Sequence, residues 1–105
     1  MIAEIATDHD SLIVLIKEPR LDGQVSLFEF FLDNNIIHNN VEKIIFDFNH
    51  VTYINSLGIA EFISLMRYLS EKRPKLKYRF VNVEKKISKI FKMIELTSIA
   101  DIESR

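Results

Sequence analysis

Apolar and polar positions along the chain fall into short blocks with two different periods. Leu12-Ile13-Val14-Leu15-Ile16 and Ile44-Ile45-Phe46-Asp47-Phe48 are apolar runs rich in β-branched residues, the pattern of strands buried on both faces. Ile2 to Thr7 predicts a first strand that turns through Asp8-His9-Asp10 into the second. Tyr78 to Val83 alternates at its start and predicts a later strand. Three helices fit between and after these. Asp22 is placed to cap a helix whose apolar positions Val25, Phe28, Phe31, Leu32 and Ile36 follow helical spacing. From Ser56 to about Ser70, apolar residues cover most of the circumference, which predicts a helix enclosed on several sides. From about Glu84, Ile87, Ile90, Phe91 and Ile94 form one stripe, with Lys85, Lys86, Lys89 and Lys92 elsewhere. A short last strand is expected around Ala100-Asp101-Ile102. The order β-β-α-β-α-β-α with that final strand predicts an α/β domain with a mixed, partly parallel sheet. Pro19 and Pro74 fall where the periodic segments break.

Composition narrows the function classes. The 105 residues suit a single domain spanning 1–105, and 48% hydrophobic with 28% charged residues is a globular balance. With no Cys, thiolate nucleophiles and Cys-based metal or iron–sulfur sites are excluded. Gly23 and Gly58 are the only glycines, too few for a Walker loop or a dinucleotide fingerprint. No apolar run approaches the ~20 residues of a membrane span, and the start lacks a basic signal-peptide region. The expected compartment is the cytoplasm. His9, His38 and His50 show no ligand spacing and read as solvated turn residues, so no metal is expected. Asp8 with Asp10, and Glu18 with Asp22, read as turn chemistry rather than an acid/base pair. Net charge is −1, yet Arg67 to Lys92 holds ten basic residues against two acidic. That segment invites a nucleic-acid reading. No aromatic interleaving or binding motif accompanies the charge, and a solvated helix face explains the lysines at 85–92. Nucleic acid is not the expected partner.

Tyr53-Ile54-Asn55-Ser56-Leu57-Gly58-Ile59 is the informative segment. A strand-like stretch ends at Ile54 and the most apolar helix begins just beyond, which puts Ser56 at or near the N-cap. An ordinary cap is one reading. A nucleophile elbow is excluded, because it needs glycine two residues on either side of the serine and Ile54 occupies one of those places. A phosphorylation site is the other reading. A phosphate there adds roughly −1.5 to −2 charges where the helix dipole and free N–H groups favour an anion.

The run from Ile45 to Ile59 resembles the signature of STAS domains, and more closely the small stand-alone anti-sigma-factor antagonists of bacteria. Arg20-Leu21-Asp22 falls where that family enters its first helix. Phe80-Val81-Asn82-Val83 is similar to its late strand, and Ile87 through Leu96 to its third helix. The resemblance implies a small mixed sheet of four to five strands flanked by helices, a non-enzymatic role and no cofactor. It further implies that Ser56 is phosphorylated by a serine kinase of the anti-sigma type and dephosphorylated by a PP2C-like phosphatase. The unmodified protein would bind its partner and the phosphorylated one release it. Asn55, Leu57 and Gly58 would shape the loop presented to the kinase, with Asp22 on the same surface and the protein a monomer. The alternative is a constitutive interaction or ligand-binding module in which Ser56 is only a helix cap. The sequence departs from the family pattern at Asn55, where Asp is frequent, and at Leu57, where a second hydroxyl is common. Pro19 stands where Gly is frequent, and no final helix is expected before Arg105.

Overall fold

The computed structural model describes residues 2–34 and 40–105. Ile36 and His38, assigned above to a helix face and a turn, lie outside the described residues. The chain runs through β1 (Ala3–Asp8), β2 (Ser11–Ile16), β3 (Arg20–Leu21), α1 (Leu27–Asn34), β4 (Lys43–Asp47) and β5 (Tyr53–Ile54). It continues through α2 (Ser56–Lys72), β6 (Lys77–Val83), α3 (Lys85–Met93), a 3₁₀ turn (Leu96–Ser98) and β7 (Asp101–Ser104). The expected order holds. The additions are β3 and β5, two-residue strands that pair in parallel as a separate small sheet.

The main sheet has the order β1-β2-β4-β6-β7. β1 and β2 form an antiparallel hairpin closed by His9 at φ 57, and every other pairing is parallel. Such parallel pairs need crossovers, which α1, α2 and α3 supply. All three helices lie against one face. Phe31 of α1 and Phe62 of α2 meet the Phe46 ring, with centroids 6.3 and 5.3 Å away, while Phe91 of α3 meets Phe80 at 5.3 Å. Leu12, Val14, Ile16, Ile44, Phe46 and Phe80 are buried beneath them.

Two expectations change here. β2 and β4 are not enclosed on both sides, since Ile13, Leu15 and Ile45 on the opposite face are only half-buried. An apolar run therefore marks a central strand without fixing how many layers cover it. Nor is α2 surrounded. It buries Phe62, Leu65, Met66 and Leu69 along one side, while Leu57 is exposed. Behind that side, the Tyr78 hydroxyl donates to the Met66 carbonyl at 3.0 Å and lies 2.7 Å from Ser70 Oγ. Burial raises the Tyr78 pKa above its usual value, and the Ser70 hydrogen bond partly offsets this.

α1 starts later than its spacing predicts, and Asp22 is not its cap. Ser26 accepts from the Glu29 N–H at 3.0 Å through Oγ, and its carbonyl accepts from Phe30. Asp22 Oδ1 instead accepts from the Gln24 N–H, closing a turn in which Gly23 takes φ 91. The Asp-Gly pair is a turn signal in its own right, and it delays the helix. Val25 and Leu32 are accordingly exposed, while Leu27 and Phe31 are buried. The Phe28 amide of α1 is completed from outside, donating to Glu61 of α2 at 3.1 Å.

Candidate functional site

The Ser56 segment is held from two sides. From one side, Thr52 and Tyr53 N–H both donate to the Pro19 carbonyl, and Asn55 N–H donates to Leu21 O at 3.2 Å. These bonds continue the β3–β5 pairing in which Arg20 faces Tyr53 and Leu21 faces Ile54. The Arg20 guanidinium carbon lies 4.1 Å from the centre of the Tyr53 ring, and Arg20 Nε is 3.7 Å from an Asp22 oxygen. From the other side, the Arg105 guanidinium donates to the carbonyls of Phe48, Asn49 and Val51 at 2.8 to 3.1 Å, and its Nε to Asn82 O at 2.9 Å. Arg105 thus fastens the loop between β4 and β5. Nothing in the sequence pattern singles it out.

The N-cap of α2 is Asn55, not Ser56. Asn55 has extended backbone, and its Oδ1 accepts from both Leu57 and Gly58 N–H at 3.1 Å. Its Nδ2 reaches back to the Asp22 carbonyl at 3.4 Å. Asn and Ser are nearly equal caps by propensity. Asn55 takes the position because the Leu21 carbonyl pins its backbone N–H just before the helix begins. Ser56 is therefore the first helical residue. It is exposed, and its hydroxyl makes no hydrogen bond to a described residue. Two of the amides expected to be free around that hydroxyl are already used by Asn55. This arrangement separates the two roles that Ser56 was given as alternatives. Capping belongs to its neighbour. Asn55→Ala should cost about 1 kcal/mol of unfolding free energy, and Ser56→Ala no more than about 0.5 kcal/mol, measured by urea denaturation. The reverse ranking would return the cap to Ser56.

Asp22, Asn55, Leu57 and Gly58, all assigned to one loop surface, do come together. Asn55 touches Asp22, Leu57 packs over Gly23, and a Cβ added to Gly58 would lie 2.1 Å from the Leu21 carbonyl oxygen. Val25, Tyr53 and Leu57 are exposed on this surface by 43%, 39% and 64%, with the Arg20 guanidinium lying over the Tyr53 ring. Among the described residues there is no cluster of His, Asp and Glu that could hold a metal ion, and no helix long and apolar enough to cross a membrane.

Arg105 gives a separate check on how this surface is supported. Arg105→Ala should raise amide hydrogen exchange about tenfold at Val51, Thr52 and Tyr53, while Phe46 and Phe80 in the central strands keep their protection. Local opening of this kind draws on the few bonds that hold a loop, not on the global stability. A uniform rise across the sheet would mean that Arg105 acts on the whole fold.

Comparison with known proteins gives a consistent picture. The STAS domain family model matches residues 3–105. The structure is similar to the crystal structure of TM1081, a putative anti-sigma factor antagonist from Thermotoga maritima. The TM-score is 0.74 at 15% identity, covering 98% of this chain and 86% of that one. It is also similar to the anti-sigma factor antagonist SpoIIAA in its unphosphorylated form, with TM-score 0.62, 13% identity and coverage of 98% and 87%. The phosphorylated form of SpoIIAA, a Bacillus cell fate determinant, gives 0.63 at 16% identity, with coverage of 95% and 89%. At these identities the likeness is one of fold. No curated protein sequence matches significantly.

Proposed function

Because the chain belongs to the STAS domain family, we propose that it is a non-enzymatic regulatory protein that binds a partner through the Ser56 surface and is switched by phosphorylation of Ser56. In this reading residues 1–105 form one STAS domain that works as a monomer in the cytoplasm. The modifying enzyme is a serine kinase of the anti-sigma type, which is also the binding partner, and a PP2C-like phosphatase reverses the modification. Asp22, Asn55, Leu57 and Gly58 form the docking loop. The single observation that carries the proposal is the exposed, unbonded Ser56 hydroxyl at the first position of α2, left free because Asn55 does the capping. SpoIIAA, whose fold is shared, has been determined in both phosphorylated and unphosphorylated forms.

The site's physics supports such a switch. A phosphate on Ser56 Oγ sits at the positive end of the α2 dipole, which stabilises it in the free protein. The same charge stands among Val25, Tyr53 and Leu57, which an incoming partner must cover. Docking would then strip water from a dianion without supplying a counter-charge, and binding weakens. The direct test is to incubate the protein with ATP and a kinase of the stated type, then map the phosphoryl group by peptide mass. Modification confined to Ser56, and lost in Ser56→Ala, is the expected result. Undiminished labelling of Ser56→Ala would refute the assignment.

A further inference from the structure

The basic surplus between Arg67 and Lys92 is not consumed by the Ser56 surface, and the fold gathers much of it at the opposite pole. β4 and β6 begin side by side there, with Lys43 and Lys77 as register partners. Both belong to the sheet face away from the helices, because the next pair, Ile44 and Tyr78, is buried beneath those helices. Like charges directly opposite one another on neighbouring strands destabilise a sheet. The surrounding residues do not relieve this pair. Lys43 is flanked on its other side by Ser11, and the next same-face position along β6 is Arg79, which pairs with Glu103. Lys43 and Lys77 form no ion pair with any described residue.

Lys72, Arg73 and Lys75 complete a concavity of about 750 Å³ over these two lysines. Cations at the end of α2 answer the helix C-terminus, which accounts for Lys72 and Arg73. It accounts for neither Lys43 nor Lys77, which lie at strand starts. Asp10 and Glu42 are the carboxylate residues in the lining, beside Lys43, Lys75 and Lys77, and the Lys72 ammonium lies 5.1 Å from the centre of the Tyr68 ring. The volume is in the range of small-molecule sites. The geometry points to a binding site for a small soluble anion carrying two or more adjacent phosphates, bridging Lys43 and Lys77 and reached by Lys72 and Lys75. A single bridging polyanion removes the like-charge conflict that the fold otherwise leaves standing. The concave shape suits a compact ligand rather than a flat anionic membrane.

The site is independent of Ser56, and its test needs no kinase. Sodium tripolyphosphate is titrated into the full chain while backbone amide shifts are followed by NMR at low and at moderate salt. Saturable shifts at residues 42–43, 72–73 and 75–77 are expected, with affinity falling as salt rises. The paired substitution Lys43→Gln with Lys77→Gln should weaken binding at least tenfold and raise the melting temperature of the ligand-free protein. Lys85→Gln with Lys89→Gln on α3 should change neither. Orthophosphate should bind at least tenfold more weakly, and phosphatidylglycerol vesicles should leave these amides unshifted. The proposal is overturned by shifts that never saturate or that follow the α3 lysines. It is equally overturned by unchanged affinity in the Lys43/Lys77 variant, or by a response to vesicles without one to tripolyphosphate.

Discussion

Gly58→Ala should lower the melting temperature by more than about 10 °C and detach β3 from the start of α2. The added Cβ would stand 2.1 Å from the Leu21 carbonyl oxygen and 2.9 Å from its carbon, both backbone atoms. No rotamer change relieves a contact of that kind. The Leu21 oxygen also accepts the Asn55 N–H, so moving it away breaks the bond that fixes the cap. Overpacking against backbone costs about 3 kcal/mol. For a domain of this size each kcal/mol is worth roughly 4–8 °C. The weakest part yields first, and β3 pairs with β5 over only two residues. Thermal melting by circular dichroism measures the first effect. Amide shifts of residues 20–24 and 53–57 report the second. A variant that melts within 3 °C of the parent, or about 0.5 kcal/mol on the same scale, would show that helix and strand do not approach so closely.

Ser56→Asp should do the opposite: leave stability nearly unchanged and lower affinity for the kinase-type partner about a hundredfold. The carboxylate stands at the exposed first position of α2, where the dipole favours it by a few tenths of a kcal/mol, and no existing hydrogen bond is lost. On docking it must be desolvated beside Val25, Tyr53 and Leu57. A mismatch of about 3 kcal/mol corresponds to a loss of just over a hundredfold in the dissociation constant. Calorimetric titration of the partner against both proteins gives the ratio. Equal affinities would remove charge as the switching principle, even if Ser56 proved to be phosphorylated.

These two substitutions are two residues apart and act through different causes, one through packing and one through charge. Sequence and structure divide along the same line. The Asn-Ser-Leu-Gly order and the apolar helix after it were enough to identify the segment as special. They were not enough to say which side chain caps. Asn55 and Ser56 have similar intrinsic preferences, and the choice is made by Leu21, which lies far back along the chain. Asp22 shows the same limit. Its neighbour Gly23 marks a turn, yet helical spacing from Val25 onward suggested a cap. Only the Ser26 hydrogen bonds show where α1 begins.

By itself, the sequence determined the succession of strands and helices, the absence of thiol chemistry and the place where a hydroxyl meets a helix start. Those are properties of neighbouring residues, governed by side-chain shape and local periodicity. The tertiary structure alone decided that the helices cover one face, that Arg105 fastens the loop before β5, and that Lys43 and Lys77 stand opposite one another on neighbouring strands. Each of these joins residues distant along the chain. Their energies come from burial and charge in three dimensions, and no local pattern carries that information.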